Sequence, residues 1–314
     1  MTGGSLHPSV VVPVPGAVVS DTIAPELAAD AASEVAVRRR RVRAHRVIIN
    51  LAGVVVIALA AFPVYWMINT SFRTNLDIRS DPQLLPVHGT LANYRAVFER
   101  DFFWTSFRNS IMVTLLTVAL ALFAAFLAAL AISRFRFRGR VAFLVLILIV
   151  QMVPAEALMI SLVKVLEGWH LRNSILGLTI AYLAFVLPFT VWTLRGFVSG
   201  VPKELEEAAM VDGASRLRAF FTVTFPLVAP GLVATGIFAF IQAWNEFTYA
   251  LVIMDRPSKQ TLPVWIQFFN EGERGTNWGG VMAASTLITI PVIAFFLMVQ
   301  RRVVAGMTAG AVKG

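Results

Sequence analysis

Six long apolar stretches constrain this chain more than any other feature. They fall at residues 47–68, 109–132, 141–163, 174–194, 227–251 and 279–299. Each is close to the ~20 apolar residues that a helix needs to cross the hydrocarbon core of a bilayer. None shows the apolar–polar alternation of a barrel strand. Hydrocarbon offers no partner to backbone N–H and C=O groups, so these segments must satisfy their own and are predicted to be helices. Of the 314 residues, 57% are hydrophobic and 14% charged, against about 25% charged in an ordinary soluble domain. The expected fold class is all-α integral membrane, with six transmembrane helices. Pro63, Pro154, Pro188 and Pro291 lie within or near the ends of the stretches. Such prolines are tolerated where neighbouring helices cover the freed carbonyls.

A formal net charge of +9 could suit a nucleic-acid partner, but its distribution argues against one. The basic residues stand at the ends of apolar runs, where a membrane protein marks its cytoplasmic side. With the N-terminus inside, the cytoplasmic segments hold the cluster Arg38, Arg39, Arg40, Arg41, Arg43 and Arg46, then Arg134, Arg136, Arg138 and Arg140. Arg195, Lys203, Arg216 and Arg218 follow, and Arg301, Arg302 and Lys313 bring the number to 17 of 27 Lys and Arg. Both termini are therefore expected in the cytoplasm of a multi-pass plasma-membrane protein in contact with lipid. Residues 1–46 read as a tail. Residues 1–37 are rich in Ala, Val, Pro and Gly, short of aromatics, and expected to be disordered. The arginine cluster behind them anchors the topology, and it lies too far from Met1 for a cleaved signal peptide. Residues 47–314 form the transmembrane domain.

Several chemistries are excluded or unsupported. With no cysteine there is no disulfide, thiol nucleophile or thiolate metal site, and His7, His45, His88 and His170 are scattered without metal-ligand spacing. Only Glu156 and Glu246 place a carboxylate inside an apolar stretch, where each costs at least about 2.5–3.5 kcal/mol at a helix centre and should face protein or water. Glu246 belongs to a cluster with Gln242, Trp244 and Asn245. Amide, carboxylate and indole together suit a sugar, whose hydroxyls want paired donors and acceptors and whose ring face stacks on an aromatic. These residues and Glu156 are candidates for a pore or substrate path. The alternative is that the polar groups bond to neighbouring helices, and Pro154 gives Glu156 a structural reason of its own. Outside the spans, Thr90 to Phe98 predicts a short interfacial helix capped by Thr90, with Leu91, Tyr94, Val97 and Phe98 on its apolar face.

The most informative polar segment is 200–226, between spans four and five. Pro202 suits a first helical position, and Glu204, Glu206 and Glu207 favour the positive end of a helix. Leu205, Ala208 and Ala209 form a stripe at i, i+3 and i+4. Asp212-Gly213 then breaks the helix. A second amphipathic piece carries Leu217, Phe220 and Phe221 opposite Arg216 and Arg218, and Pro226 opens the next span. The segment is predicted to be a helix–turn–helix on the cytoplasmic surface. It fits either a docking element with a narrow alanine face or a plain surface amphipath.

The run EAAMVDGASRLRAFFTVTFP, Glu207 to Pro226, resembles the EAA loop of bacterial ABC importer permeases. Glu207, Ala208, Ala209, Gly213 and Pro226 match that pattern at its spacing, with Val223 in place of isoleucine and Phe225 in place of leucine. FPVYWMINTSFR from Phe62, RNS from Arg108, LPFTVWTLRGF from Leu187, WNEFTYAL from Trp244, QTLPVWIQFF from Gln260 and the C-terminal run from Gln300 resemble carbohydrate permeases of the maltose type. The resemblance covers residues 47–314. It implies the type I ABC importer permease fold, with a coupling helix between spans four and five that carries Leu205, Glu206, Glu207, Ala208, Ala209, Asp212 and Gly213. It further implies an ATP-binding subunit dimer, a second permease subunit, an extracytoplasmic solute-binding protein and a sugar substrate. No cofactor is expected in this chain. ATP would be bound by the partner, in keeping with the lack of a Gly-x-x-x-x-Gly-Lys-[Ser/Thr] loop here.

The implied function is half of a sugar pore, coupled to a separate ATPase. One alternative is the same architecture for a polyol or a glycerol phosphate. Another is an integral-membrane enzyme using Glu156 or Glu246 as an acid–base group, which lacks any supporting His, Asp or Ser constellation. A secondary transporter would call for internal inverted repeats and more intramembrane charge, and neither is present.

Overall fold

The computed structural model describes the backbone of residues 23–80, 83–86, 89–270 and 275–311, with side chains from His45 to Gln300 apart from Ala155 and the gaps just given. It is helical almost throughout, and the described residues contain no strand beyond one isolated bridge, Asn270 to Thr276. Two compact units result, Met1–Pro63 and Val64–Gly314.

The described part of the first unit is helix α1 (Ile23–Ser71), which runs on past Pro63. The sequence reading placed a disordered tail over 1–37; residues 1–22 lie outside the described residues, but 23–37 are helical. Ala, Glu and Leu in that stretch are good helix formers, and propagation from an existing helix avoids the cost of a new nucleus. The span proper is His45–Ser71, and its apolar side chains from Val47 to Leu59 are exposed, as lipid-facing groups are.

In the second unit, two short helices follow, α2 (Asn75–Ser80) and α3 (Ala92–Glu99). The N-cap of α3 is Leu91, without a side-chain cap bond, and not Thr90 as predicted; the Thr90 hydroxyl accepts from the Ala92 N–H in the turn ahead of the helix. Of the expected apolar face of α3, Val97 is buried and Tyr94 half-buried, while Leu91 and Phe98 are exposed. The second span is α4 (Phe103–Arg134), six residues longer at its start than the apolar run alone predicts, through an aromatic Phe-Trp turn suited to the bilayer interface.

The third span is a correction. It is not one helix over 141–163 but two, α5 (Arg140–Met152) and α6 (Ala155–Gly168), bent by 101° at Val153-Pro154. Proline has no N–H to donate and its ring disfavours helical geometry in the residue before it. Pro63, Pro188 and Pro291 by contrast sit inside continuous helices. Helix α7 (Ile175–Ser199) is the fourth span. After α8 (Lys203–Val211) come α9 (Arg216–Ala219), a π-helical stretch at Phe220–Thr224, and α10 (Phe225–Trp244). These three run together as one span, Arg216–Trp244. The second half of the predicted helix–turn–helix is therefore the head of span five. The Phe225 N–H reaches five residues back to the Phe220 carbonyl just ahead of Pro226, a widened turn of the kind found at functional positions.

The fifth span also ends early, at Trp244 rather than residue 251, and a separate helix α11 (Thr248–Ile253) follows the break. Then come α12 (Leu262–Trp265) and the last span, within α13 (Trp278–Ala311). Helix α4 packs along α7, and α10 packs against α4, α7 and α13. The contacts are made by small side chains. Ala121, Ala125 and Ala129 are buried at four-residue spacing on α4, and Gly231, Thr235, Ala239 and Ala243 on α10. Lipid is as apolar as leucine and gives no hydrophobic drive to association, so close backbone approach and dispersion hold such helices together. At Gly231 the approach of α10 to α7 is close: a Cβ there would meet the Phe197 ring at 2.3 Å.

Candidate functional site

Two regions gather the residues singled out by sequence. The first is α8. Pro202 is its N-cap and not its first helical residue, so the helix begins one residue later than predicted, and Glu204 and Glu206 lie in its first turn, where the helix dipole favours negative charge. At its far end the Gly213 N–H donates to Met210 O at 3.1 Å and the Ala214 N–H to Ala209 O at 3.0 Å. With Asp212 as C-cap this is a Schellman turn, and Gly213 holds the positive φ of 92° that it requires. Leu205, Glu207, Ala208, Asp212 and Gly213 are exposed and Ala209 is half-buried. The helix thus offers a small, open face bordered by carboxylates. Glu206 behaves differently. It is half-buried, 2.7 Å from Arg134 Nη2, and accepts the Thr224 hydroxyl at 2.5 Å. Of the residues that the resemblance put on the coupling helix, it is the one whose carboxylate has its partners within the chain.

The second region is a cavity of about 510 Å³ walled by α5, α6, α7, α10 and α11. Glu156, Gln242 and Glu246 all line it, with Gln151 and the aromatics Phe185, Phe189, Phe238 and Tyr249. Phe185 stacks on Tyr249 with ring centroids 5.8 Å apart, and Phe189 meets Phe238 at 3.9 Å. No Lys or Arg lines the cavity among the described residues. Both acids sit at helix starts rather than at mid-span. Glu156 is in the first turn of α6. Glu246 accepts from the Tyr249 N–H at 2.8 Å and the Ala250 N–H at 3.0 Å, capping α11. A carboxylate at a helix N-terminus meets unpaired N–H groups and the positive end of the dipole, which offsets part of its burial cost.

Trp244 and Asn245 do not join this cavity. Trp244 is buried against α13, donating to Ile288 O at 3.2 Å and stacking on Phe240. Asn245 turns back on its own helix, donating to Ile241 O at 2.9 Å. Residue type suggested them, but helix geometry places them elsewhere. Residues four apart share a helix face, and Phe238, Gln242 and Glu246 stand at that spacing, which puts Trp244 on the other side. The same spacing joins Phe185 to Phe189, so these aromatics were within reach of a periodicity argument. Arg134 and Thr224 as partners of Glu206 were not, because they are 72 and 18 residues away.

Residues 117–309 match a family model described as binding-protein-dependent transport system inner membrane component. The chain is 44% identical over 266 residues to the diacetylchitobiose uptake system permease protein DasC of Streptomyces coelicolor, covering 84% of this chain and 96% of the relative. It is 36% identical over 271 residues to the trehalose/maltose transport system permease protein MalG of Thermococcus litoralis, covering 86% and 97%. Among solved structures it is similar to a chain from a bacterial ABC transporter that imports the acidic polysaccharide alginate. That likeness has a TM-score of 0.69 at 24% identity, over 82% of this chain and 96% of the other, and concerns the fold.

Proposed function

The chain belongs to the binding-protein-dependent transport system inner membrane components, and on that premise we propose that it forms one half of the membrane path for an uncharged carbohydrate, driven by a separate ATPase that docks on α8. Members of this family are multi-pass membrane subunits of ABC importers and are not enzymes, so the acid–base role considered for Glu156 and Glu246 falls away. The reading rests most on one observation: α8 is an exposed helix set between two spans, with its small-residue face open and its far end fixed by the Schellman turn at Gly213.

The ATPase would grip the face of Leu205, Ala208 and Ala209, with Glu207 and Asp212 at its border. A second permease subunit would close the path from the other side, and a solute-binding protein would deliver the sugar from outside. The positive-inside bias supports a cytoplasmic location for α8 and both termini. Carbohydrate is the chemistry named for both relatives above. The cavity agrees, because amide and carboxylate groups beside four aromatic rings suit hydroxyls and sugar-ring faces. Its two carboxylates, with no cation on the described walls, disfavour a glycerol phosphate, since like charges at short range in a low dielectric repel strongly.

The test is the assembled complex in proteoliposomes, with hydrolysis stimulated by the solute-binding protein as readout. Ala209→Trp should block ATPase recovery or stimulation while the spans still insert. An Ala209→Trp complex with normal recovery and stimulation would refute docking at this face. Uptake competition should favour neutral oligosaccharides over glycerol phosphate, and the reverse order would refute the solute class.

A further inference from the structure

Of the three glutamates on α8, Glu204 and Glu207 are exposed, and only Glu206 turns in. Its Oε1 lies 2.7 Å from Arg134 Nη2, with 12% of the arginine side chain and 20% of the glutamate exposed. Arg134 is the last residue of α4. Its Nη1 donates to the Val201 carbonyl between α7 and α8 at 3.0 Å. One residue earlier, Ser133 Oγ is 2.9 Å from Ser199 Oγ at the end of α7. On the other side, Glu206 holds the Thr224 hydroxyl at the end of the π-helical stretch that leads into α10. A groove of about 600 Å³, lined in part by Leu130, Phe135, Met210 and Leu217, opens beside these groups. Arg134 and Glu206 stand in its wall.

We infer that Arg134 and Glu206 form a strut through which displacement of α8 reaches the walls of the cavity. The inference rests on the docking role of α8. Its physical content is that one carboxylate is shared between two load paths. Through Arg134 it holds the joined ends of α4 and α7, and through Thr224 it holds the head of α10. The Arg134–Glu206 contact is an ion pair by distance, the Thr224 hydroxyl bond to the carboxylate is charge-assisted, and partial burial keeps both from being screened away. Helices α7 and α10 are the same two that bring Phe185 and Phe189, and Phe238 and Gln242, to the cavity. Ser199 stands ten residues from Phe189 and Thr224 eighteen from Gln242. At 1.5 Å per residue the helices carry a push about 15 and 27 Å along their axes. The widened turn at Phe220–Thr224 is the place in this path where helix geometry can shift register. Arg134 and Glu206 touch neither solute nor nucleotide; they are positioning residues.

The test uses the whole complex in proteoliposomes, with variants Arg134→Ala, Glu206→Ala, Glu206→Gln, Thr224→Val and the double Arg134→Ala/Glu206→Ala. The readouts are ATPase recovery with the permease, basal hydrolysis, binding-protein-stimulated hydrolysis, and solute taken up per ATP. Arg134→Ala and Glu206→Ala should keep ATPase recovery and basal hydrolysis but lose about tenfold in solute per ATP, within the span of measured coupling effects. The double variant should be no worse than Glu206→Ala alone, because that single change already removes the link that Arg134→Ala breaks. Glu206→Gln, which keeps the shape and an acceptor for Thr224, should fall between wild type and Glu206→Ala, and it decides the matter if the alanine variants fail to insert. Wild-type uptake per ATP in Arg134→Ala and in Glu206→Gln overturns the strut, as do additive losses. Loss of ATPase recovery in Glu206→Ala but not in Arg134→Ala also overturns it, by making Glu206 a docking residue. Failure of the docking role itself reads out separately, as normal recovery and stimulation in Ala209→Trp.

Discussion

Replacing Gly213 by valine should uncouple hydrolysis from transport without any steric clash. Gly213 has φ +92°, and a Cβ built there meets nothing within 4 Å. There is no steric clash to relieve, so the whole penalty is in the backbone. For a residue with a Cβ the left-handed region costs roughly 1–2 kcal/mol, more for a β-branched one, which corresponds to about 5–30-fold in the population of the native turn. The turn is also where two orphan carbonyls at the end of α8, those of Ala209 and Met210, are satisfied by the Ala214 and Gly213 N–H groups. Leaving the left-handed region breaks both bonds and swings α9, hence α10, relative to α8. Asparagine visits this region far more readily than alanine or valine. The expected order of solute uptake per ATP is therefore Gly, then Asn, then Ala, then Val. Binding-protein-stimulated hydrolysis in proteoliposomes measures it, alongside ATPase recovery. Valine performing as well as glycine would refute the argument. Asparagine as damaging as valine would mean that bulk against a partner, and not φ, sets the requirement.

Other outcomes follow from the same geometry. A single cysteine at Ser215, in a chain with no other cysteine, should react with a membrane-impermeant thiol reagent only from the cytoplasmic side; labelling from outside would invert the topology. Gly231→Ala should force α7 and α10 apart, since the new Cβ would fall 2.3 Å from the Phe197 ring, at a cost of about 1–3 kcal/mol read as a lower melting temperature of the purified complex; an unchanged melting temperature would show that Phe197 moves freely. Glu246→Ala removes the cap of α11 and should cost about 0.5–2 kcal/mol, with Glu246→Gln costing less because it keeps an acceptor; equal losses would place the role of Glu246 in its charge. Trp244→Phe should lower stability and leave uptake by the surviving complex intact, because the indole bonds to Ile288 away from the cavity.

What could be read from the sequence divides along physical lines. The number and order of spans were legible because a bilayer imposes one crude requirement, apolar length, and hydropathy measures it directly. Helix α8 and its Gly213 stop were legible because caps, dipole-matched glutamates and a breaking glycine are local signals. The breaks at Val153-Pro154 and Asn245–Phe247 were not, since a window average smooths over the two or three residues that interrupt a helix. Trp244 and Asn245 were misplaced by choosing residues for their chemistry before asking which helix face they occupy. The link from Glu206 to Arg134 was beyond reach for a different reason. Nothing within a single element selects one partner from a set of arginines that all stand at the same membrane face.

The two breaks and the two membrane acids are one phenomenon. A continuous helix satisfies its own backbone and leaves an intramembrane carboxylate to bear its desolvation alone. Breaking the helix just before the acid frees N–H groups at a new N-terminus, and the carboxylate is then held by them, as Glu246 is by Tyr249 and Ala250. The same break frees carbonyls on the preceding segment. In hydrocarbon these would be costly, so irregular backbone at membrane depth is tolerated only against protein or beside a water-filled space. Both breaks meet that condition together: Val153, Pro154 and Glu156 from one, and Glu246 and Thr248 from the other, line a single cavity. A polar solute crossing the membrane needs the donors and acceptors that such interrupted helices expose. That is why the proposed path runs where the helices stop, and not along the spans that are most regular.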